Sequence, residues 1–146
     1  LNPDPTWITP QLSPLLWRKV IGVCSAVLKN AGVTTLITMH GWTESAFEDH
    51  PEFETLQWED VPVLLAKLPA LLEQRQKLGF TLGKDDWWLM GQTNVPFELL
   101  CCHENDLHLK TTDLNLAAQF KTALAVLGVF LNAVTATSTP PSTIDA

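Results

Sequence analysis

The chain has 146 residues, 46% of them hydrophobic, with three cysteines and a formal charge of −7. That length suits one domain with a sizeable core, and the apolar content excludes a globally disordered chain. The acidic balance argues against nucleic acid as a partner, because phosphate contacts need clustered Lys and Arg.

In chain order, residues 1–12 contain three prolines and read as an extended N-terminal arm, with Trp7 and Ile8 placed to pin it to the body. Ser13 as N-cap and Pro14 at the first helical position start a helix. Its apolar residues recur at Leu16, Val20, Val23, Cys24, Val27, Leu28 and Ala31, and Gly32 stops it. The β-branched run 33–39 predicts a strand, broken by His40-Gly41-Trp42-Thr43. Residues 44–55 show no clean period and interleave Phe47 and Phe53 with acids, which marks a working surface or a plain connection.

Residues 55–58 read as a short strand. Asp60 then caps a helix with apolar residues at Val61, Leu64, Leu65, Leu68, Leu71, Leu72 and Leu78. Proline is tolerated in a first helical turn and not in an interior, so Pro69 predicts a break near Leu68 and a second helical piece. Residues 87–112 read as a three-stranded meander, with strands over 87–92, 97–103 and 107–111. Asp113 caps a last helix over 114–131, where Val126, Val129 and Phe130 widen the apolar stripe of Leu116, Phe120, Leu124 and Leu131. So broad a stripe suits a buried helix or a homodimer interface. Residues 133–146 read as a disordered Ser/Thr/Pro tail. Residues 13–132 are thus expected to form a single α+β domain. Its mainly antiparallel sheet, the meander plus one or two further strands, packs with N-terminal, middle and C-terminal helices.

Loop length sets the faces of the last hairpin. A two-residue loop would place His103 opposite His108, with Cys101 and Lys110 beside them. A three-residue loop, 104–106, pairs His103 with Leu107 and Cys101 with Leu109. It gathers Phe97, Leu99, Cys101, Leu107 and Leu109 on one face and Glu98, Cys102, Glu104, His108 and Lys110 on the other. The second register separates apolar from charged and is the expectation; it puts the two histidines on opposite faces.

Charge and chemistry bound the function. Residues 30–66 hold no Lys or Arg, yet include Glu44, Glu48, Asp49, Glu52, Glu54, Glu59 and Asp60. This is either a solvated acidic face or a docking surface for a basic partner. Cys101 and Cys102 are strand neighbours that cannot easily bond each other, so free thiols and a cytoplasmic location are expected. The opening LNPDPTW lacks the basic start and apolar run of a secretory leader. The apolar stretch 114–134 is interrupted by Asn115, Gln119, Lys121 and Asn132, a poor membrane span.

There is no phosphate-cradling glycine loop, no nucleophile elbow and no Cys-x-x-Cys. His40, His50 and His103, with Asp49 or Glu104, have no local ligand spacing, so neither a metal nor a cofactor is expected, and no catalytic residue is assigned. Trp87 and Trp88 are successive strand residues, so one must face away from the side that buries the other.

The partner-binding candidates are Trp42, Phe47, Phe53, Trp87, Trp88, Val126 and Phe130. They point to a non-enzymatic interaction module: an acidic cytoplasmic adaptor, chaperone or assembly factor that binds a protein or extended peptide, with strand addition at a sheet edge as one mode. In size, acidity and alternation of helix and strand the chain resembles secretion chaperones and bacterial immunity proteins. That likeness is compositional and assigns no residue. The competing class is a small-ligand-binding protein or enzyme with a pocket between the meander and a helix, using His103, Glu104 and His108. Single-strand binding by stacked tryptophans lacks a basic groove.

Overall fold

The computed structural model describes residues 4–92 and 95–134. The described residues form an α+β fold in which seven antiparallel strands carry helices on one face. The strands are β1 (Thr6–Ile8), β2 (Thr35–Thr43), β3 (Val61–Leu64), β4 (Asp85–Gly91), β5 (Glu98–Cys101), β6 (Leu107–Lys110) and β7 (Asn132–Ala133). They lie in the order β3-β2-β4-β5-β6-β1-β7. The helices are α1 (Pro14–Asn30), α2 (Phe53–Leu56), α3 (Leu68–Lys77) and α4 (Leu114–Ala125).

Local chemistry sets the helix ends where the sequence places them. Ser13 Oγ accepts the N–H of Leu16 at 3.3 Å, and Pro14 occupies the first turn of α1. Gly32 follows α1 at φ 91°, a left-handed conformation that suits glycine. Asp113 accepts the N–H groups of Asn115 and Leu116 at 3.0 Å and caps α4. Pro69 sits in the first turn of α3.

The inner face of the sheet presents Leu36, Trp87, Leu89, Leu99, Cys101, Leu107 and Leu109. These join Trp17, Val20 and Leu28 of α1, Leu68 of α3 and Phe120 and Leu124 of α4 in one core. A fully buried aliphatic or Phe side chain contributes roughly 1.5–3 kcal/mol, so this layer dominates the folding energy.

Several expectations are corrected. Val61–Leu64 is a strand and not the first piece of a helix: it pairs with β2, Thr35 against Leu64 through Thr38 against Val61. The spacing of Val61, Leu64 and Leu65 suits either element, and pairing with a neighbouring strand outweighs the period. Residues 53–56 are helical and 57 makes only an isolated bridge to His40, so the short strand expected over 55–58 does not form. Strand β2 does not break at His40 but continues to Thr43 through a bulge.

The β5–β6 hairpin pairs Cys101 with Leu107 and Leu99 with Leu109, so its loop spans the five residues 102–106. This register differs by two residues from the expected one, which keeps the faces of the paired residues 98–101 and 107–110 while moving Cys102 and His103 out of the strand, so that Cys102 is buried and both His103 and His108 flank it instead of parting to opposite faces. Asn105 takes φ 68° in this loop.

α4 stops at Ala125, six residues short of expectation, because Gly128 at φ 78° redirects the chain. Val129 and Leu131 return to the core beyond that turn. The extended N-terminal arm is pinned through Thr6–Ile8, which pairs with β6 as a sheet strand. Ala133, expected in the tail, pairs with Trp7, and Val134 donates its N–H to Thr6 at 2.9 Å. The rest of the expected tail, 135–146, lies outside the described residues, as do the arm residues 1–3 and the turn residues Thr93 and Asn94.

Candidate functional site: a tryptophan corner on the open sheet face

The outer face of the sheet carries no helix. Alternation along the strands places Ile37 and Met39 of β2, Trp88 and Met90 of β4, Leu100 of β5, His108 of β6 and Ile8 of β1 on it, all partly exposed. Met39, Trp88, Leu100, His108 and Ile8 form one continuous cross-strand row. An antiparallel sheet with one solvated face ordinarily turns polar residues outward. This row is mostly apolar instead.

The bulge in β2 builds the corner of this face. His40 pairs with Trp87 but Thr43 pairs with Asp85, so one extra residue is inserted between them. Without it Trp42 would point into the core; with it Thr43 is buried and Trp42 turns outward, 44% exposed. The Trp42 ring lies 4.4 Å from that of His103. Gly41 leaves room for the ring of Trp88, which a side chain there would overlap. Trp58, 55% exposed, sits 5.9 Å from Trp88.

Trp58 holds its backbone at φ 63°, an uncommon conformation for a bulky residue. Its N–H donates to the His40 carbonyl at 2.8 Å, and Gln57 Nε2 donates to the Gly41 carbonyl at 3.2 Å. These bonds hold Trp58 over the bulge. Three indoles, Trp42, Trp58 and Trp88, thereby share one corner.

Acids border that corner. Glu44, Glu48, Asp49, Glu52, Glu54, Glu59 and Asp60 are all exposed, on the segments that follow Trp42 and flank Trp58. Asp85 holds the first of these segments from beneath. It accepts the N–H of Glu44 at 3.0 Å, of Ser45 at 3.2 Å and of Thr81 at 2.8 Å, together with the hydroxyls of Thr43 and Ser45.

No protein-family model, no curated protein and no solved structure matches this chain. Its site is read from its own residues.

Of the candidates from sequence, Trp42 and Trp88 lie on the open face. Phe47, Phe53 and Trp87 do not: all three are buried in the core and are withdrawn as partner contacts. Phe47 and Phe53 tuck the acidic segment down, with their rings 4.9 Å apart. Trp87 is the inward member of the Trp87–Trp88 pair. Val126 and Phe130 are 82% and 59% exposed at the end of α4, away from the strand row, and form a separate patch. Sequence reasoning missed Trp58, whose role comes from an unusual φ, and its signal was only an indole beside two acids.

The four histidines have different surroundings. His40 is buried among Phe47, Phe80 and Trp87, and its Nε2 accepts the Nε–H of Arg75 at 3.1 Å. Burial, and then the Arg75 charge, lower its pKa to about 4. His50 Nδ1 accepts the N–H of Glu52 at 3.1 Å in the acidic segment. Neither approaches His103. His103 Nδ1 instead bonds Asp86 at 2.8 Å, which raises its pKa. His108 Nε2 lies 2.9 Å from Asp106. Between them sits Cys102, whose thiol burial pushes up to about 11.

Other concavities lie elsewhere. A cavity of about 450 Å³ at the end of α1 is lined by Ser25, Lys29, Val33, Leu64, Leu65 and Pro69, among others, and by none of His103, Glu104 or His108. Among the described residues, no helix is long and apolar enough to cross a membrane.

Proposed function

We propose that this chain is a non-enzymatic protein–protein interaction module, an adaptor, chaperone or assembly factor. Its open sheet face docks a partner protein or peptide bearing apolar and basic side chains. The observation that carries this reading is the corner of Trp42, Trp58 and Trp88 at the end of an uncovered apolar row, with seven exposed acids on the chain segments that follow Trp42 and flank Trp58.

The physical case has three parts. Tryptophan supplies a large buried area with one polar handle and is enriched where binding energy concentrates. An indole face beside carboxylates favours Lys or Arg twice, through cation–π attraction and through charge complementarity. The sheet edges suit strand addition poorly: Pro62 has no N–H to offer a strand laid on β3, and β7 is two residues long. Docking on the face therefore replaces docking on an edge. A cytoplasmic setting accords with three free cysteines.

The test is a fluorescence titration against an array of extended peptides with alternating Leu and Lys or Arg, paired with affinity capture from native extract. Trp58→Gly suits this purpose because it removes the ring while relieving left-handed strain of roughly 1–2 kcal/mol. Saturable binding that weakens with salt and disappears in Trp42→Ala/Trp58→Gly, yet survives Val126→Ser, is expected. Binding that is indifferent to both tryptophans would end the reading.

A further inference from the structure

Around the β5–β6 loop lies a second constellation, which adjoins the docking face through His108 and through the contact of Trp42 with His103. Asp86, Cys102 and His103 present a carboxylate oxygen, a sulfur and an imidazole nitrogen within 4.8 Å of one another. Cys102, Asp106 and His108 do the same. The two triads share one sulfur. From these five donors we propose that the loop binds a single divalent ion of the zinc type, with the Cys102 thiolate as its anchor.

The donor set fits that ion. Zinc takes thiolate, imidazole and carboxylate ligands together in tetrahedral sites, whereas calcium and magnesium need oxygen alone. Metal–sulfur and metal–nitrogen distances of about 2.3 and 2.0 Å place two tetrahedral ligands roughly 3.5 Å apart. Cys102 Sγ and His103 Nδ1 are 4.0 Å apart, close to that separation before any ion draws them in.

The charge balance also fits. Two carboxylates and one ionised thiol gather around a divalent cation that would neutralise most of their charge. Binding releases the thiol proton and any proton shared in the His103–Asp86 or His108–Asp106 contacts to solvent. A carboxylate that does not ligate gives up its imidazole nitrogen to the ion, while Asp86 keeps the backbone N–H of His103.

The backbone of the loop that carries Cys102 and His103 is held before the ion arrives. Cys102 donates its N–H to the Asp106 carbonyl at 2.9 Å, and Asn105 donates to the carbonyls of Cys102 and Gly83 at 3.1 Å. The Asn105 carbonyl accepts from Leu12 at 2.7 Å, tying the loop to the chain before α1. His103 also donates its backbone N–H to Asp86 at 2.9 Å. Their side chains are 32% and 29% exposed for His103 and His108, which leaves the ion a path from solvent.

The experiment is titration of the reduced full chain with Co²⁺, followed by competition with Zn²⁺. One Co²⁺ per chain is expected, with a near-ultraviolet thiolate charge-transfer band and intense visible bands of tetrahedral geometry, all bleached by Zn²⁺. Cys102→Ser should abolish the band, while Cys24→Ala should keep it. His103→Ala and His108→Ala should each weaken binding roughly tenfold or more. Circular dichroism of each variant separates loss of a ligand from loss of fold. Absence of stoichiometric binding by the wild type, or a band that persists in folded Cys102→Ser, overturns the proposal. Wild-type affinity in both folded histidine variants overturns it equally.

Discussion

The ring of Trp88 on β4 lies directly over Gly41 on β2, in the space a side chain at residue 41 would occupy. The same space is bounded by the Trp58 ring. Gly41→Ala must therefore displace one indole or both. A loss of roughly 1–3 kcal/mol in urea unfolding is expected, with a shifted tryptophan emission. Gly22, exposed inside α1 with nothing within 4 Å of where a Cβ would stand, provides the opposite case. Gly22→Ala should gain about 0.5–1 kcal/mol from helix propensity.

His40 makes the fold sensitive to mild acid. Its pKa falls from 6.5 to about 4 on folding, mainly because burial penalises the imidazolium. The unfolded chain therefore binds the proton more readily, and the neutral histidine contributes its full share of stability above about pH 6.5. That share, roughly 3 kcal/mol, should be lost as pH falls toward 4 and level off below it. His40→Gln should flatten this part of the pH profile in denaturant titrations. An equally steep profile in the variant would assign the acid sensitivity to other groups.

Asp85 anchors the start of the acidic segment. Asp85→Ala would leave the N–H of Thr81 without an acceptor, while the N–H groups of Glu44 and Ser45 keep the Lys84 carbonyl and Thr43 Oγ1, each at 3.2 Å. One buried donor left unpaired costs about 1–3 kcal/mol, and two hydroxyls lose their carboxylate acceptor as well, so a cost of at least about 2 kcal/mol is expected. Ser45→Ala removes a single hydroxyl from the same carboxylate and should cost about 1 kcal/mol. Denaturant midpoints of the two variants check the ordering.

Two aromatic residues five positions apart should behave oppositely. Phe47→Ala empties a wholly buried site and should cost about 3–5 kcal/mol. Trp42→Ala removes a half-exposed ring resting on His103 and should cost about 1 kcal/mol or less. Thermal unfolding of both variants distinguishes a core residue from a surface one.

Elements with strong local signals were legible in the sequence. Ser13-Pro14, Asp113, Pro69 and Gly32 fix their backbone within a few residues, so their helix ends needed no knowledge of neighbours. The alternation in residues 87–112 pointed to the meander, because a strand has period two wherever it lies. The inward–outward split of Trp87 and Trp88 followed from the same period, though which one faced the core did not.

Tertiary structure decided the rest. Val61–Leu64 became a strand only because β2 offered a partner, and the helix over 114–131 ended early because Gly128 let Val129 and Leu131 reach the core. The bulge at Gly41–Trp42 is invisible locally, since its extra residue exists only relative to β4. It alone turns Trp42 outward. Likewise Asp86 lies far from Cys102 in sequence, and the two meet because β4 and β5 are paired. The sequence by itself determined which segments could be helix or strand and where charge would gather, through backbone preference and periodicity. Which side chains share a corner depended on register between distant strands, and one residue of register moves a side chain to the opposite face.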